Sequence, residues 1–104
     1  MLYEIAPREA MADFLQSLRG TDRKPNTIIY YRSALRQLVA WMEEKSFTLN
    51  DLNARRVRAY FADREELHHV SRTTQYHDWT ASRKFFQYCR RQEWMAADPI
   101  GDIV

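Results

Sequence analysis

One stretch of the chain decides the fold, and it runs from Pro25 to Met42 as PNTIIYYRSALRQLVAWM. Apolar residues recur in it every three or four positions, which is the spacing of one face of an α-helix. The predicted inner face contains Ile28, Tyr31, Leu35, Leu38 and Met42, with Val39 and Trp41 widening it. We therefore expect a long amphipathic helix with one buried side.

The start of this helix combines a capping signal with a basic residue. Asn26 or Thr27 is the predicted N-cap, because a side-chain oxygen there can accept a hydrogen bond from a free backbone N–H. Lys24 lies just before it. The free N–H groups and the positive end of the helix dipole favour an anion such as a phosphate, although that anion need not belong to nucleic acid.

The composition is typical of a single helical domain. The 104 residues are 45% hydrophobic and 29% charged, with two Gly and three Pro, which fits one core and argues against a disordered or collagen-like chain. The sequence contains one cysteine, Cys89, so no disulfide can form within it. Since it has neither a signal peptide nor a long apolar run, we expect a soluble, cytoplasmic protein.

Three further helices are predicted from apolar stripes and capping residues. Their spans are Pro7 to Gly20, then Ala54 to Leu67 behind an Asn53 cap, then Ser71 as a cap with the helix running to about Gln92. Their inner faces contain Met11, Phe14, Leu15 and Leu18; Val57, Tyr60, Phe61 and the stem of Arg64; and Trp79, Ser82, Phe86 and Cys89, flanked by Phe85 and Tyr88. No alternating pattern long enough for a sheet occurs. The predicted fold is an all-α, compact four-helix bundle of two crossed helical hairpins.

The last residues of the chain predict a domain boundary. The dipeptide Asp98-Pro99 and Gly101 end regular structure, whereas Ile100, Ile103 and Val104 are typical of a strand or linker. We therefore assign residues 1–99 to the domain and residues 100–104 to the start of a linker.

No group of residues for catalysis or metal binding converges in the sequence. The pairs Glu43-Glu44 and Glu65-Glu66 lie on predicted outer faces, where solvated carboxylates explain them. His68 and His69 are adjacent and His77 stands alone, so no His-x-x-x-His pair is present for a metal. Cys89 on an inner stripe is typical of a small buried hydrophobe rather than a nucleophile. We expect no catalytic residue, metal or cofactor.

Basic and hydroxyl side chains on the second and fourth helices remain as functional candidates. The net charge of +2 and the pI of about 8.8 are too mild to identify a partner, but these residue types contact phosphates and read base edges in the major groove. A solvated face of mixed charge is the alternative. Most aromatic residues recur at helical spacing and are explained by core packing rather than base stacking, with Tyr30 as the exception. The candidate DNA-binding residues are Lys24, Asn26, Thr27, Tyr30, Ser33, Arg36, Arg72, Thr73, Thr74, His77, Thr80, Arg83 and Lys84.

Several short motifs follow one another along the chain. In the second helix, the pattern N-T-x-x-x-Y-x-x-x-L is formed by Asn26, Thr27, Tyr31 and Leu35, with Trp41 near the helix end. The segment before the third helix contains Thr48, Leu49 and Leu52. The fourth helix begins with Ser71 and Thr73 and ends with Phe86 and Tyr88, and Asp98-Pro99 follows it. In this order they resemble the N-terminal core-binding, or SAM-like, domain of tyrosine recombinases of the phage integrase and Xer type. The resemblance covers about residues 9 to 99. The chain departs from the family at Glu93, where many relatives have Gly, and at His77 and Trp79.

The resemblance implies a domain that clamps one face of duplex DNA at a recombination site, with its second and fourth helices over the major groove. Strand cleavage in that family belongs to a separate C-terminal domain, so we expect these 104 residues to bind DNA without enzyme activity, and recombination or integration only from a longer parent that self-associates on DNA. No membrane or small-molecule substrate is implied. A helical protein-interaction module with an apolar patch near Trp94 or the Ile103-Val104 tail is the alternative.

Overall fold

The computed structural model describes residues 4–21 and 24–101. These residues form α1 (Pro7–Ser17), α2 (Pro25–Lys45), α3 (Ala54–His68) and α4 (Arg72–Arg91), with a short 3-10 turn at Leu49–Asp51 between α2 and α3. No strand occurs among the residues described. The predicted all-α fold with four helices is confirmed.

Three of the helix starts follow the predicted local chemistry. Pro7 lies in the first turn of α1, where its missing N–H leaves nothing unsatisfied. The Asn53 side chain accepts a hydrogen bond from the Arg56 N–H at 2.9 Å and so caps α3. The Ser71 hydroxyl caps α4 in the same way, by accepting from the Thr74 N–H at 3.1 Å. Each start therefore lies where a free N–H is either absent or satisfied.

The predicted cap of α2 is wrong. This helix begins at Pro25 with Lys24 in the N-cap position, and no side chain caps it. Asn26 and Thr27 consequently lie inside the first turn. Pro25 explains the difference, because its fixed φ suits the first helical position and the helix can begin before the predicted capping residues.

The first helix ends at Ser17, three residues before Gly20. The Ser17 hydroxyl donates to the Phe14 carbonyl at 2.5 Å, and the Leu18 N–H donates to the Leu15 carbonyl at 3.2 Å. These local bonds satisfy the last carbonyls and tighten the final turn. Gly20 then adopts a left-handed φ of 78° in the turn that follows, which glycine does without strain.

The core is built around α2, which packs most extensively against α4 and next against α1. The buried members of its predicted inner face are Tyr31, Leu35, Leu38, Val39 and Met42, while Ile28 and Trp41 are partly buried. Leu35 is fully buried, so Leu35→Ala is expected to lower the free energy of unfolding by about 2–5 kcal/mol. The stretch that predicts the fold thus also holds it together.

The inner face of α4 differs from its predicted arrangement at two positions. Phe85, predicted at the flank, is fully buried, and Trp79, predicted on the main stripe, is partly buried. Phe85 packs against Phe14 of α1 with ring centroids 5.7 Å apart, and Trp79 packs against Phe61 of α3 at 5.5 Å. Since α4 contacts helices on both sides, its buried face is wide and its exposed face is narrow.

The segment after α4 folds back on the domain. The Asn50 side chain donates to the Trp94 carbonyl and accepts from the Ala96 N–H, both at 3.0 Å. Ile100 is 3% exposed and packs in the core, although the sequence placed it in a strand or linker. The remaining tail residues of that prediction, Ile103 and Val104, lie outside the described residues. The domain boundary after residue 99 stays a prediction.

Glu93 adopts a left-handed backbone, with a φ of 63°. This region favours glycine. Glu93 is therefore a strained residue in the turn that follows α4.

Candidate nucleic-acid interface

The exposed side of α4 carries charges of one sign. Five basic side chains project from it, and all five are exposed. They are Arg72, Arg83, Lys84, Arg90 and Arg91, and we call this set the α4 basic face. Asp78, the one acidic residue of this helix, is 3% exposed. The helix thus presents only positive charges to solvent.

No residue of the α4 basic face forms an ion pair within the described part of the chain. The ion pairs within residues 4–21 and 24–101 join Arg8 to Glu43 and Arg64 to Asp78, so none involves this face. Unpaired cations along one helix add their fields and attract a polyanion. At 1.5 Å per residue, the ends of the face, Arg72 and Arg91, are about 28 Å apart along the helix axis, a little less than one turn of B-DNA at roughly 34 Å.

The first half of α2 is also basic. Lys24, Arg32 and Arg36 are exposed, and no acidic residue occurs in α2 before Glu43. No side chain caps this helix. Pro25 carries no N–H, and the Thr27 and Ile28 N–H groups donate to the Lys24 carbonyl at 3.0 and 3.4 Å, so attraction of an anion to this end rests on the helix dipole and on Lys24 rather than on a row of free N–H groups. Since α2 packs against α4, the two basic segments lie on neighbouring helices.

The two helices meet at the surface in a stacked aromatic pair. Tyr30 of α2 and His77 of α4 have ring centroids 4.2 Å apart and planes inclined by 17°. Tyr30 is 46% exposed, so the pair is accessible from solvent. Ser33, Thr73 and Thr74 line an open hollow of about 330 Å³ beside the two rings. We call these five residues the α2–α4 junction, and all five are candidates predicted from the sequence.

The junction offers short-range chemistry that differs from that of the α4 basic face. Its hydroxyl groups can both donate and accept, as phosphate oxygens and base edges require. Its stacked rings present an apolar surface of the kind that contacts a thymine methyl. The ring of Tyr30 is already held by His77, so less side-chain freedom is lost when it meets a partner. The arrangement therefore suits recognition, whereas the α4 basic face supplies attraction.

The remaining candidates lie around the junction rather than in it. Lys24, Asn26 and Thr27 occupy the start of α2. Thr80, Arg83 and Lys84 follow His77 along α4, with both cations exposed and Thr80 partly buried. They extend the candidate surface along both helices.

Two candidates lie beyond the junction. Arg72 lines a separate hollow between α3 and α4, together with Phe61 and Trp79. Arg36 follows Ser33 by three residues and Tyr30 by six in α2, so around the helix axis it is about 60° from Ser33 and about 120° from Tyr30. The structure therefore does not bring all thirteen candidates onto one small site.

The sequence prediction missed cations at the far end of α4. Arg90 and Arg91 are exposed and line a hollow with Gln87 and Asp98. Gln87 and Arg91 follow Lys84 at three and seven residues, a spacing that keeps them on the same helix face. Helical periodicity could therefore have identified them, as it could have identified Arg32 in α2.

Among the described residues we find neither a cluster of metal ligands nor a reactive thiol. No cluster of three or more His, Cys, Asp or Glu side chains suited to a metal is found among them. Cys89 is fully buried, and burial raises the pKa of its thiol to about 12, so it stays protonated at neutral pH. This confirms its prediction as a small buried hydrophobe. None of the described helices has the length and apolar character needed to cross a membrane.

Comparison with known proteins agrees with the geometry of the helices. The family model described as the phage integrase N-terminal SAM-like domain matches residues 11–96, which include most of α1 and all of α2, α3 and α4. Searches of curated proteins and of solved structures give no significant match. The matched range contains the α2–α4 junction and the whole α4 basic face. This chain belongs to the family of phage integrase N-terminal SAM-like domains.

Proposed function

We propose that this chain is the duplex-DNA-binding domain of a site-specific tyrosine recombinase, and that it clamps the recombination site for a separate catalytic domain. The observation that carries the proposal is the charge distribution of α4. Its five cations are exposed and unpaired within the described residues, while Asp78, its one acidic residue, is buried. A mixed, solvated helix surface would not separate charges in this way.

The two parts of the surface have different roles in this proposal. The α4 basic face and the start of α2 bind phosphates, which fixes the position of the domain on the duplex without reading sequence. The α2–α4 junction contacts base edges or base methyl groups in the groove between those phosphates. Base reading is limited, because the junction offers two rings and three hydroxyl-bearing residues. Most of the affinity therefore comes from phosphate contacts.

The parent protein carries the rest of the reaction in this proposal. Membership in the integrase family supports a parent that cleaves and rejoins DNA strands, with its own catalytic domain following a linker at about residue 100. The parent self-associates on DNA and acts in the cytoplasm, where its DNA substrate lies. This chain contributes binding and positioning and no catalytic residue.

The alternative function, a protein-interaction module, needs an exposed apolar patch near Trp94, and the structure gives that patch little support. Trp94 is only partly exposed and packs edge-to-face against Tyr88, with ring centroids 5.8 Å apart. The other part of that patch, the Ile103-Val104 tail, lies outside the described residues. DNA binding is therefore the function that the described surface favours.

Fluorescence anisotropy with a labelled random-sequence duplex tests the proposal. We expect binding at low salt, with log affinity falling linearly with log salt concentration by about 0.9 for each neutralised phosphate. Four to six phosphate contacts, a range we take from the size of the α4 basic face, give a slope of about −4 to −5. Absence of binding at low salt, or an affinity independent of salt, contradicts the proposal. A chain that binds another protein alone gives neither signal.

A further inference from the structure

A buried ion pair lies directly beneath the α2–α4 junction. The Arg64 Nε of α3 donates to the Asp78 carboxylate of α4 at 3.0 Å, and their side chains are 11% and 4% exposed. Both residues also line the hollow that contains Tyr30, Thr74 and His77. The pair thus connects the third helix to the wall of the candidate binding surface.

Stability alone is a weak reason for such a pair. Removing two charges from water costs several kcal/mol per ion before their attraction offsets it, and replacing a buried pair with apolar residues of similar size is often neutral or stabilising. The surroundings here are apolar enough for such a replacement, since Phe61 and Trp79 pack together beside Arg64 and Asp78. An orienting role is the better explanation, because the hydrogen bond from the Arg64 Nε to the Asp78 carboxylate is directional.

The position of Asp78 indicates which orientation is fixed. It directly follows His77 and lies one turn after Thr74, so holding its carboxylate inward on α3 sets the rotation of α4 about its own axis. At the observed rotation His77 faces α2 and stacks on Tyr30. A rotation by one residue, about 100°, would turn His77 away from that ring.

We propose that Arg64 and Asp78 are positioning residues for the DNA-binding surface, and that their ion pair sets the rotation of α4 that assembles the α2–α4 junction. This inference rests on the proposed DNA-binding function and names how that surface is held. Neither residue contacts DNA in this account. Their effect passes through His77 and its stacking on Tyr30.

The test replaces the pair with apolar residues of similar volume, Arg64→Met with Asp78→Leu. The first readout is the NMR shift of the His77 ring protons, which the Tyr30 ring current moves upfield, with Tyr30→Ala as the unstacked reference. The second is affinity for the random duplex. We expect the His77 shift to move most of the way to the reference and the affinity to fall about five- to ten-fold, while the melting temperature is unchanged or higher.

The exposed pair Arg8–Glu43 provides a matched control, because it has the same chemistry and joins α1 to α2. Arg8→Met with Glu43→Leu should change neither the His77 shift nor the affinity. If the buried double variant does not fold, Arg64→Lys serves in its place, since it keeps the charge but loses the planar guanidinium. An intermediate His77 shift and about two- to three-fold weaker binding are then expected.

The outcomes separate this inference from the proposed function. An unchanged His77 shift in the folded variant overturns the positioning role, whatever the affinity. A moved shift with unchanged affinity overturns the link between the junction and DNA binding. If the unmodified chain binds no duplex, the proposed function fails, whereas the His77 shift still reports whether the pair sets the rotation of α4.

Discussion

Helices α3 and α4 contain similar numbers of cations but arrange them differently. The third helix has four basic residues, Arg55, Arg56, Arg58 and Arg64, and three acidic ones, Asp63, Glu65 and Glu66. The fourth has the five cations of the α4 basic face and the single buried acid. On α3 the charges offset one another and Arg64 is used inside the domain. Function is therefore indicated by the absence of exposed acids on α4 rather than by the number of its cations.

The comparison is tested most strongly by removing two cations from each helix. Arg83→Ala with Lys84→Ala should weaken duplex binding by at least about ten-fold and reduce the salt slope by about 1.8, because two phosphate contacts are lost. Arg55→Ala with Arg58→Ala is the matched control on α3 and should leave both quantities nearly unchanged. Anisotropy titrations at several salt concentrations measure them. Equal losses for the two variants would show that the faces are equivalent.

A second test compares exposed apolar side chains on the two surfaces. Tyr30 in the α2–α4 junction is 46% exposed, and Leu67 near the end of α3 is 70% exposed. Tyr30→Ala removes the stacked surface and should weaken duplex binding by roughly five-fold, about 1 kcal/mol. Leu67→Ala should have no effect on binding. The comparison fails if Leu67→Ala weakens binding as much as Tyr30→Ala.

A third variant makes the face of α3 resemble that of α4. Glu65→Lys with Glu66→Lys gives α3 an excess of exposed positive charge. We expect the gain in affinity for duplex DNA to stay below about two-fold at 0.15 M salt, because screening over a Debye length of about 8 Å limits charges that do not touch the phosphates. Anisotropy at that salt concentration measures the gain. A ten-fold increase would indicate that α3 also lies against the duplex.

The residues just before α3 and α4 predict a small difference in how their contributions to stability depend on pH. Asp51, just before α3, accepts a hydrogen bond from the Thr48 N–H at 2.7 Å, which lowers the pKa of its carboxyl. Its stabilising effect is therefore present above its unfolded pKa of about 4 and is lost as the pH falls through the lower folded value. Ser71, the cap of α4, carries no titrating group.

Thermal melts of the unmodified chain and of Asp51→Asn between pH 6 and pH 2 measure this effect. The unmodified chain should melt at the higher temperature near pH 6, and the difference should close as the pH falls. Ser71→Ala should instead lower the melting temperature by the same amount at every pH, because a hydroxyl cap does not titrate. A difference for Asp51→Asn that is constant with pH contradicts the assigned role of the carboxylate.

Much of the fold is predictable because it depends on neighbours in sequence. Asn53 and Ser71 cap helices through hydrogen bonds to residues three positions later, and the inner face of α2 follows from helical spacing. The α2 cap was predicted wrongly because the preference of Pro25 for the first helical position outweighs the capping preference of Asn26 and Thr27.

The candidate surface is predictable in its residue types but not in its assembly. The stacking of Tyr30 on His77 and the pairing of Arg64 with Asp78 depend on the packing of separate helices, which no local pattern specifies. For Asp78 the sequence suggested nothing, since an acidic residue between a histidine and a tryptophan has no distinctive pattern. Arg90 and Arg91 differ from Asp78, because their helical spacing is visible in the sequence and could have been used to predict them.

Backbone NMR shifts during titration with a short random duplex test the central claim most directly. At low salt we expect the amide shift changes to concentrate in the first half of α2 and along the exposed side of α4, from Thr73 to Arg91, with the exposed side of α3 nearly unchanged. Changes centred on the exposed side of α3, or none at any salt concentration, would contradict the claim that the α4 basic face belongs to the DNA-binding surface.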